Sequence, residues 1–599
     1  MLGSRVLRTL RLPGSFLVAA LLGAALGAAP AAHAAPNGYV TMSDGVSIAI
    51  NIRMPDGFEK GRRYPAIFEM SGYDGGSSDG TTPGDTVGEG SRGLTKIFYD
   101  DYVTVHASVR GTGCSGGEFD LFSWRSALDG REVIEWMARQ PWSNGDVGVY
   151  GHSYGGITGF MVAATRPAHL RAVSVSGLID DLYRGIAVPG GVGNYGFPLV
   201  WTAGIRPLYD VGGGTYPGLA NGDAQCAENL STRSRTVLND PLLQGMSETD
   251  NSWFQARSSI NYAELIEVPV HITGTYQDEQ TGPRGSTHLW EAVRGVPKRL
   301  LITNGDHGTS TDPKEVWKDR VAWMDRWIRG VGETYPRSSV TTLLEMLESE
   351  KANGRIDTRT FPLETTRWTN YFLREDGGLS TVRPSEEEGS DDYIAGSPRQ
   401  SWNYQAGHSE GAPVTTEAGP DEVTYATRPF DRLTGVVGPA TATLFVASTA
   451  PDAELFVQVI DEGPDGSRYH IQRGLLRASH RAILEGLSDR TRAGRIYRPW
   501  RPHTNPTPIA PGEVYRYLVE IFPFGHVFRP GHRLVVKIHS APLADSYYAY
   551  IGRRSTGINT VFHDASRPSQ LMLPVVPLDR ARLGPAPQPC SLEAVRCVP

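Results

Sequence analysis

Hydrophobic residues in the first half of the chain fall into short runs separated by glycine-rich turns. Val46, Ile48, Ile50 and Ile52 alternate with other residues around Asp44-Gly45, and this period of two predicts an antiparallel hairpin over Tyr39 to Met54. Pro65 to Met70, Tyr102 to Ala107, Ala172 to Ser176, Val268 to Thr273 and Leu300 to Thr303 are compact apolar runs of strand length. Between them, Ala127 to Gln140 and Pro313 to Arg329 carry helical patterns. Val133, Ile134, Trp136 and Met137 mark the inner face of the first, and Trp317, Val321, Met324 and Ile328 that of the second. Apolar strands alternating with helices predict a parallel sheet covered on both faces, with Leu300 to Thr303 as its last strand.

From about Leu178 to Glu267 the rhythm breaks. Glycine and proline crowd Pro189 to Gly196 and Gly212 to Gly218, and the helices read as short. An insertion at this point in a sheet predicts a cap over a site at the carboxyl ends of the strands. Past Gly330 the character changes again. Arg374 to Pro420 is polar, and its Glu386-Glu387-Glu388 and Asp391-Asp392 runs predict a solvated loop. Thr441 to Ser448, Glu454 to Asp461, Glu513 to Ile521 and Arg533 to His539 then alternate as strands, which predicts a β-sandwich of jelly-roll type. No internal repeat is present.

One junction in the sheet pattern carries chemistry. Val147 to Gly156 reads as a buried strand, a G-x-S-x-G turn and the start of a helix over Ile157 to Thr165. The bare pattern occurs four times, at Gly76 to Gly80, Gly113 to Gly117, Gly151 to Gly155 and Gly407 to Gly411. Only the third stands between a strand and a helix, the arrangement that lifts a serine hydroxyl off a sheet as a nucleophile elbow. That makes Ser153 the candidate nucleophile. A serine needs a base to take its proton and a carboxylate to orient the base, in the chain order Ser, Asp or Glu, His. Asp278 sits just past the run Val268 to Thr273, and His307 just past Leu300 to Thr303. Glu279 and Asp306 are the rivals for the acid. The backbone N–H of Tyr154, following the nucleophile, supplies one oxyanion donor. Tyr73, in the loop after Pro65 to Met70, is the candidate for a second.

Composition narrows the partners and the compartment. A net charge of −7 leaves no basic footprint for nucleic acid. Arg5, Arg8 and Arg11, the apolar run Phe16 to Ala29 and Ala32-His33-Ala34 predict a secretory signal cleaved after Ala34. That run is shorter than the ~20 residues a bilayer span needs, so the mature protein is expected in the extracellular space, periplasm or cell envelope without a stable membrane span. Cys590 and Cys597 close a short loop, which would leave Cys114 for Cys226, although spacing alone does not fix the pairing. No spacing suggests a zinc site, and no cofactor is expected. Oligomeric state is not legible.

The loop around Tyr73, Val109-Arg110-Gly111, Ser115 to Phe119, the Gly151 to Gly156 elbow, Asp278, His307 and the C-terminal β-region together resemble the cocaine-esterase and X-Pro dipeptidyl-peptidase family of serine hydrolases. The resemblance implies an α/β-hydrolase domain (35–177 and 268–345), a helical cap (178–267) and a C-terminal jelly roll (346–599), after a signal peptide (1–34). It implies Ser153 as nucleophile, His307 as base and acid, Asp278 as orienter, and an oxyanion hole of the Tyr73 hydroxyl and the Tyr154 N–H. Two departures stand out: Gly72 where the family often has proline, and Gln277 between Tyr276 and Asp278. The expected activity is cleavage of a small ester or amide. Release of aminoacyl-proline dipeptides is the alternative, and it would need a carboxylate cluster for the substrate amine, for which Asp180, Asp181 and Asp210 are candidates. A non-catalytic binding protein with a vestigial hydrolase domain would be expected to have lost a triad member, and none is missing.

Overall fold

The computed structural model describes residues 38–73, 95–205, 222–233, 241–308, 311, 314–347, 351–386, 388–395, 413–414, 419–540, 550–551, 556–578, 583–584, 588–589 and 596–597. The expected signal sequence, Asp210 and Cys590 lie outside these residues.

The N-terminal half is built on one mixed sheet. Ten of its twelve described strands are β1 (Tyr39–Thr41), β2 (Ser47–Arg53), β3 (Tyr64–Ser71), β4 (Val103–Ser108), β5 (Ser143–His152), β6 (Leu170–Ser176), β7 (Val270–Thr275), β8 (Lys298–Thr303), β9 (Ser338–Leu347) and β10 (Lys351–Thr358), and two short C-terminal strands, Gln588–Pro589 and Arg596–Cys597, join beside β9. They lie side by side in the order β1-β2-β4-β3-β5-β6-β7-β8-β9, with β10 on the outer side of β9. Pairing is parallel from β4 through β9 and antiparallel at both ends. The sheet therefore does not end at Leu300 to Thr303 as the apolar pattern suggested. β9 adds one more parallel strand, in register Val340 to Leu300. It escaped notice because Thr341 is polar, and its hydroxyl is satisfied by Asp357 of β10 at 2.7 Å.

Helices cover the sheet. α1 (Trp124–Ala138) starts at Ser123, whose side chain caps the Ser126 N–H, and buries Val133, Ile134 and Met137. α2 (Tyr154–Ala164) is buried along its whole length, as a helix packed between a sheet and its covering layer must be. α3 (Gly285–Ala292) and α4 (Lys314–Met324) follow β7 and β8. Between β6 and β7 the described residues form short helical pieces, among them Leu182–Ala187, Phe197–Val200, Trp201–Ile205, Ala224–Thr232, Ser252–Gln255 and Ser259–Leu265, and a two-residue strand, Gly193–Asn194, paired with Tyr550–Ile551. Leu182, Ile186 and Phe254 from this stretch join the same hydrophobic core as the sheet.

The C-terminal half is all β. Thr434–Ser448 is its spine, pairing with Tyr515–Phe528, Gly557–Phe562 and Gln570–Val576. The last of these also pairs with Arg367–Arg374, so the sheet folds back on itself around a separate core that includes Leu444, Val457, Val519 and Val536. The polar stretch expected to be a solvated loop is partly structured. Ser390–Ala395 pairs with Gly557–Phe562, and Glu388 is buried in a two-pronged ion pair with Arg374 Nε at 2.8 and 2.9 Å. A guanidinium in fork geometry offsets the desolvation that made the acidic run look solvated.

Candidate active site

The elbow is a place where only small residues fit. Ser153 has φ 55° and ψ −125°, a conformation that costs an L-residue energy and is held by its surroundings. Its N–H donates to Ser176 O at 3.0 Å and its carbonyl accepts from Ile157 N at 2.9 Å. A Cβ on Gly151 would lie 2.2 Å from Gly155 O, and one on Gly156 would lie 2.2 Å from Ser176 O. Strand, turn and helix can close this tightly only with glycine at both places.

Asp278 and His307 arrive from the ends of β7 and β8. Asp278 Oδ1 accepts the N–H groups of Gln280 (3.0 Å) and Thr281 (2.8 Å), and Oδ2 accepts the Thr281 hydroxyl (2.7 Å). His307 Nδ1 lies 2.9 and 3.0 Å from the two carboxylate oxygens, so the ring carries its proton there and keeps Nε2 as its basic nitrogen. Burial opposes charge on both groups. The His307 charge and hydrogen bond overcome it at Asp278 and hold that carboxyl below its ordinary range. The same carboxylate, aided by Glu279 and Asp306, raises the imidazole above its ordinary value against burial. The ring stands at the elbow: His307 Cε1 and Ser153 N both lie within 3 Å of where a Gly177 Cβ would be.

The neighbours divide the remaining roles. Glu279, a rival for the acid, accepts the backbone N–H of His307 at 2.8 Å, and burial and then Asp278 push its pKa up. His152 lies 4.4 Å from His307 between ring centroids and bonds Ser176 Oγ at 2.9 Å. Burial, then the His307 and Arg320 charges, push its pKa far down, so it stays neutral. Ser115, in the Gly113 to Gly117 match, is buried with Oγ bonded to Ser108 O and Ala49 N, and has a structural place. Next to it, Cys114 and Cys226 form a disulfide.

Tyr73 faces the elbow with its ring edge-on to Tyr154 at 5.8 Å, and its hydroxyl accepts the Trp201 indole N–H at 2.6 Å. Gly72 has a reason to be glycine, since a Cβ there would sit 2.9 Å from the Tyr154 ring. Tyr154 opens α2, so its backbone N–H belongs to the helix N-terminus, where negative charge is favoured. Ser153, Tyr73 and Tyr154 border a cavity of about 100 Å³ whose other walls include Leu182, Ile186 and Phe254. Among the described lining residues none is charged. Two of the three acids expected for an amine site, Asp180 and Asp181, are engaged elsewhere. Asp180 pairs with Arg284 (2.9 Å) and His288 (2.6 Å), and Asp181 with Arg184 (2.7 Å). Among the described residues no group of three or more His, Cys, Asp or Glu side chains is arranged to hold a metal.

Sequence patterns missed a polar brace behind the acid and histidine loops. Gln277 is fully buried, donating to Ile471 O (3.3 Å) and accepting from Gly305 N (3.0 Å). Gln472 donates to Tyr276 O (2.7 Å) and Pro523 O (3.0 Å), and Asn304 to Gly525 O (2.8 Å). The only outward signs are two amide residues placed next to strand ends.

A parallel sheet with an elbow after β5, and an acid and a histidine after two later strands, defines an α/β-hydrolase of the serine type. Residues 44–309 match the model of the S15 family of X-Pro dipeptidyl-peptidases, and residues 339–571 match that of the X-Pro dipeptidyl-peptidase C-terminal non-catalytic domain. The chain belongs to this family and is a serine hydrolase. It is 24% identical over 615 residues to the cocaine esterase of Rhodococcus sp. (strain MB1 Bresler), covering 90% of this chain and 98% of the relative. A Mycobacterium tuberculosis protein carrying the provisional name serine esterase is 25% identical over 610 residues, 90% of this chain and 95% of that one. In fold it is similar to a CocE/NonD family hydrolase from Staphylococcus aureus, with TM-score 0.72 and 21% identity over 90% of this chain and 93% of that one.

Proposed function

We propose that the protein is an esterase or acylase that cleaves small substrates with an apolar acyl group through an acyl-enzyme on Ser153. His307 Nε2 takes the Ser153 proton as the hydroxyl attacks the carbonyl, then delivers it to the leaving group; Asp278 holds the ring and offsets its transient charge. The tetrahedral oxyanion is met by the Tyr73 hydroxyl and the Tyr154 N–H. Water, activated by the same imidazole, releases the acid. No cofactor enters this scheme. The observation that carries the substrate class is the absence of charge among the described residues that line the cavity beside Ser153. An X-Pro dipeptidyl-peptidase would need an anionic partner for the substrate amine, and Asp180 and Asp181 are already paired.

The division into hydrolase, cap and jelly roll is kept in this reading, with the segment 178–267 as the substrate-facing lid. No described helix is long and apolar enough to cross a membrane. Export is supported by the Cys114–Cys226 bridge, a bond that persists in oxidising compartments.

The test pairs substrates. Purified protein and Ser153→Ala are assayed on p-nitrophenyl esters of increasing acyl length and on an aminoacyl-proline p-nitroanilide. Ester turnover lost in the variant, with little anilide turnover, is expected. Anilide turnover that exceeds the esters and vanishes when the amine is blocked would replace this reading with the peptidase.

A further inference from the structure

Trp201 comes from the stretch between β6 and β7, yet its indole touches both residues assigned above to the oxyanion hole. Nε1 donates to the Tyr73 phenol oxygen at 2.6 Å, and the indole stacks on the Tyr154 ring with 5.9 Å between centroids and 26° between planes. It also meets the Tyr73 ring edge-on at 6.4 Å and is itself buried. The direction of the hydrogen bond is fixed by chemistry. An indole N–H can only donate, so the phenol oxygen must accept and cannot spend its own hydrogen on Trp201.

We propose that Trp201 is a positioning residue of the oxyanion hole: it holds the Tyr73 oxygen from the acceptor side, so that the phenol hydrogen is given to the oxyanion formed at Ser153. The inference rests on the assignment of Tyr73 to the hole. Two consequences follow from hydrogen-bond physics. A phenol oxygen held by a donor cannot swing with the loop that carries it, and an accepted hydrogen bond polarises the O–H and makes it a better donor. Trp201 also lies beside the turn that supplies the other donor, because it stacks on the residue whose backbone N–H is involved. The hole is therefore complete only with the Trp201–Ile205 turn seated over Ser153, and its assembly depends on a residue from outside the sheet.

A double-mutant cycle on p-nitrophenyl butyrate tests this, with kcat and KM measured separately and melting temperatures recorded for every variant. Tyr73→Phe is expected to lower kcat ~100-fold, the scale of one lost oxyanion donor. Trp201→Phe keeps an aromatic ring but no N–H, and is expected to lower kcat about tenfold with KM little changed, as for one hydrogen bond. On the Tyr73→Phe background the same Trp201→Phe change should have almost no further effect. Trp201→His, which restores a ring N–H, should recover part of the loss. An equal factor in both backgrounds, or an effect on KM alone, would overturn the positioning role while leaving Tyr73 in the hole. If Tyr73→Phe itself keeps parental kcat, the oxyanion assignment fails before the Trp201 inference is reached. Trp201→Leu takes the place of Trp201→Phe in the cycle if the latter melts early.

Discussion

Ser153, Asp278 and His307 form a polar wall fixed by hydrogen bonds at defined distances, whereas Leu182, Ile186 and Phe254, which line the cavity beside Ser153, form an apolar one. Asp278 alone accepts from Gln280, Thr281 and His307. In the cavity lining, the side chains of Leu182, Ile186 and Phe254 carry no polar atom. Directional bonds tolerate little displacement, so the first wall suits a reaction in which a proton moves over a fraction of an ångström. Dispersion and burial are graded with area, so the second wall sets which acyl groups fit without dictating the chemistry. The two walls should therefore fail in different ways when altered.

The largest effects belong to the polar wall. Replacing Ser153 or His307 by alanine should lower kcat by roughly 10⁵-fold or more for every ester tested, with chain-length preference unchanged. A variant that keeps near-parental turnover would mean the nucleophile or base has been misplaced. Next comes Asp278→Asn, expected to cost ~10³- to 10⁴-fold by leaving the imidazole in the wrong tautomer. It also has a pH signature. In the proposed scheme the working base is neutral His307, so kcat/KM should fall on the acid side as the ring protonates, with the limb above the ordinary imidazole value because Asp278 and its neighbours raise it against burial. Removing that carboxylate charge should move the limb to lower pH; a limb that stays in place would show that Asp278 does not set the imidazole pKa.

Changes in the apolar wall should redistribute rates rather than abolish them. Phe254→Ala is expected to favour longer over shorter p-nitrophenyl esters by about tenfold in kcat/KM, the scale of one or two methylenes in a hydrophobic pocket. Equal losses across the series would place Phe254 outside the acyl site. Smallest is Gln277→Ala, which should destabilise the fold by about 1–2 kcal/mol through its orphaned partners. Its loss of turnover should be only several-fold, read by chemical denaturation alongside kinetics.

The same division explains what the sequence disclosed. The elbow, Asp278 and His307 are legible because each follows an apolar strand and the order Ser, Asp, His is a property of the sheet. Tyr73 is legible only as a loop residue after β3, because the hydrogen-bond partner of its hydroxyl, Trp201, is 128 positions away. Strand β9 is hidden because Thr341 interrupts an apolar run, and the partners that make it acceptable in the interior, Asp357 and Arg299, come from other strands. Glu388 reads as solvated for the same reason, since Arg374 takes the place of its water. Where a polar side chain is stabilised by a distant partner, local pattern assigns it to solvent. The short turns between β6 and β7 have no strong period at all, so their packing over the elbow could be anticipated only from where they are inserted.

The brace behind the acid and histidine loops bears on how this protein can change over time. Two main-chain carbonyls of the β-rich half, at Ile471 and Gly525, accept hydrogen bonds from Gln277 and Asn304, while Gln472 of that half, held by Pro523 O, donates to Tyr276 O. Main-chain acceptors do not depend on which side chain their residue carries, so the strands holding them can drift in sequence while the support persists. They cannot drift in register, because a shift of one residue turns each carbonyl away. The two halves are thus bound to be inherited as one piece. A chimera that exchanges the C-terminal half between relatives would keep its chemistry only where the Ile471 and Gly525 carbonyls fall in the same places and the Gln472 amide is kept.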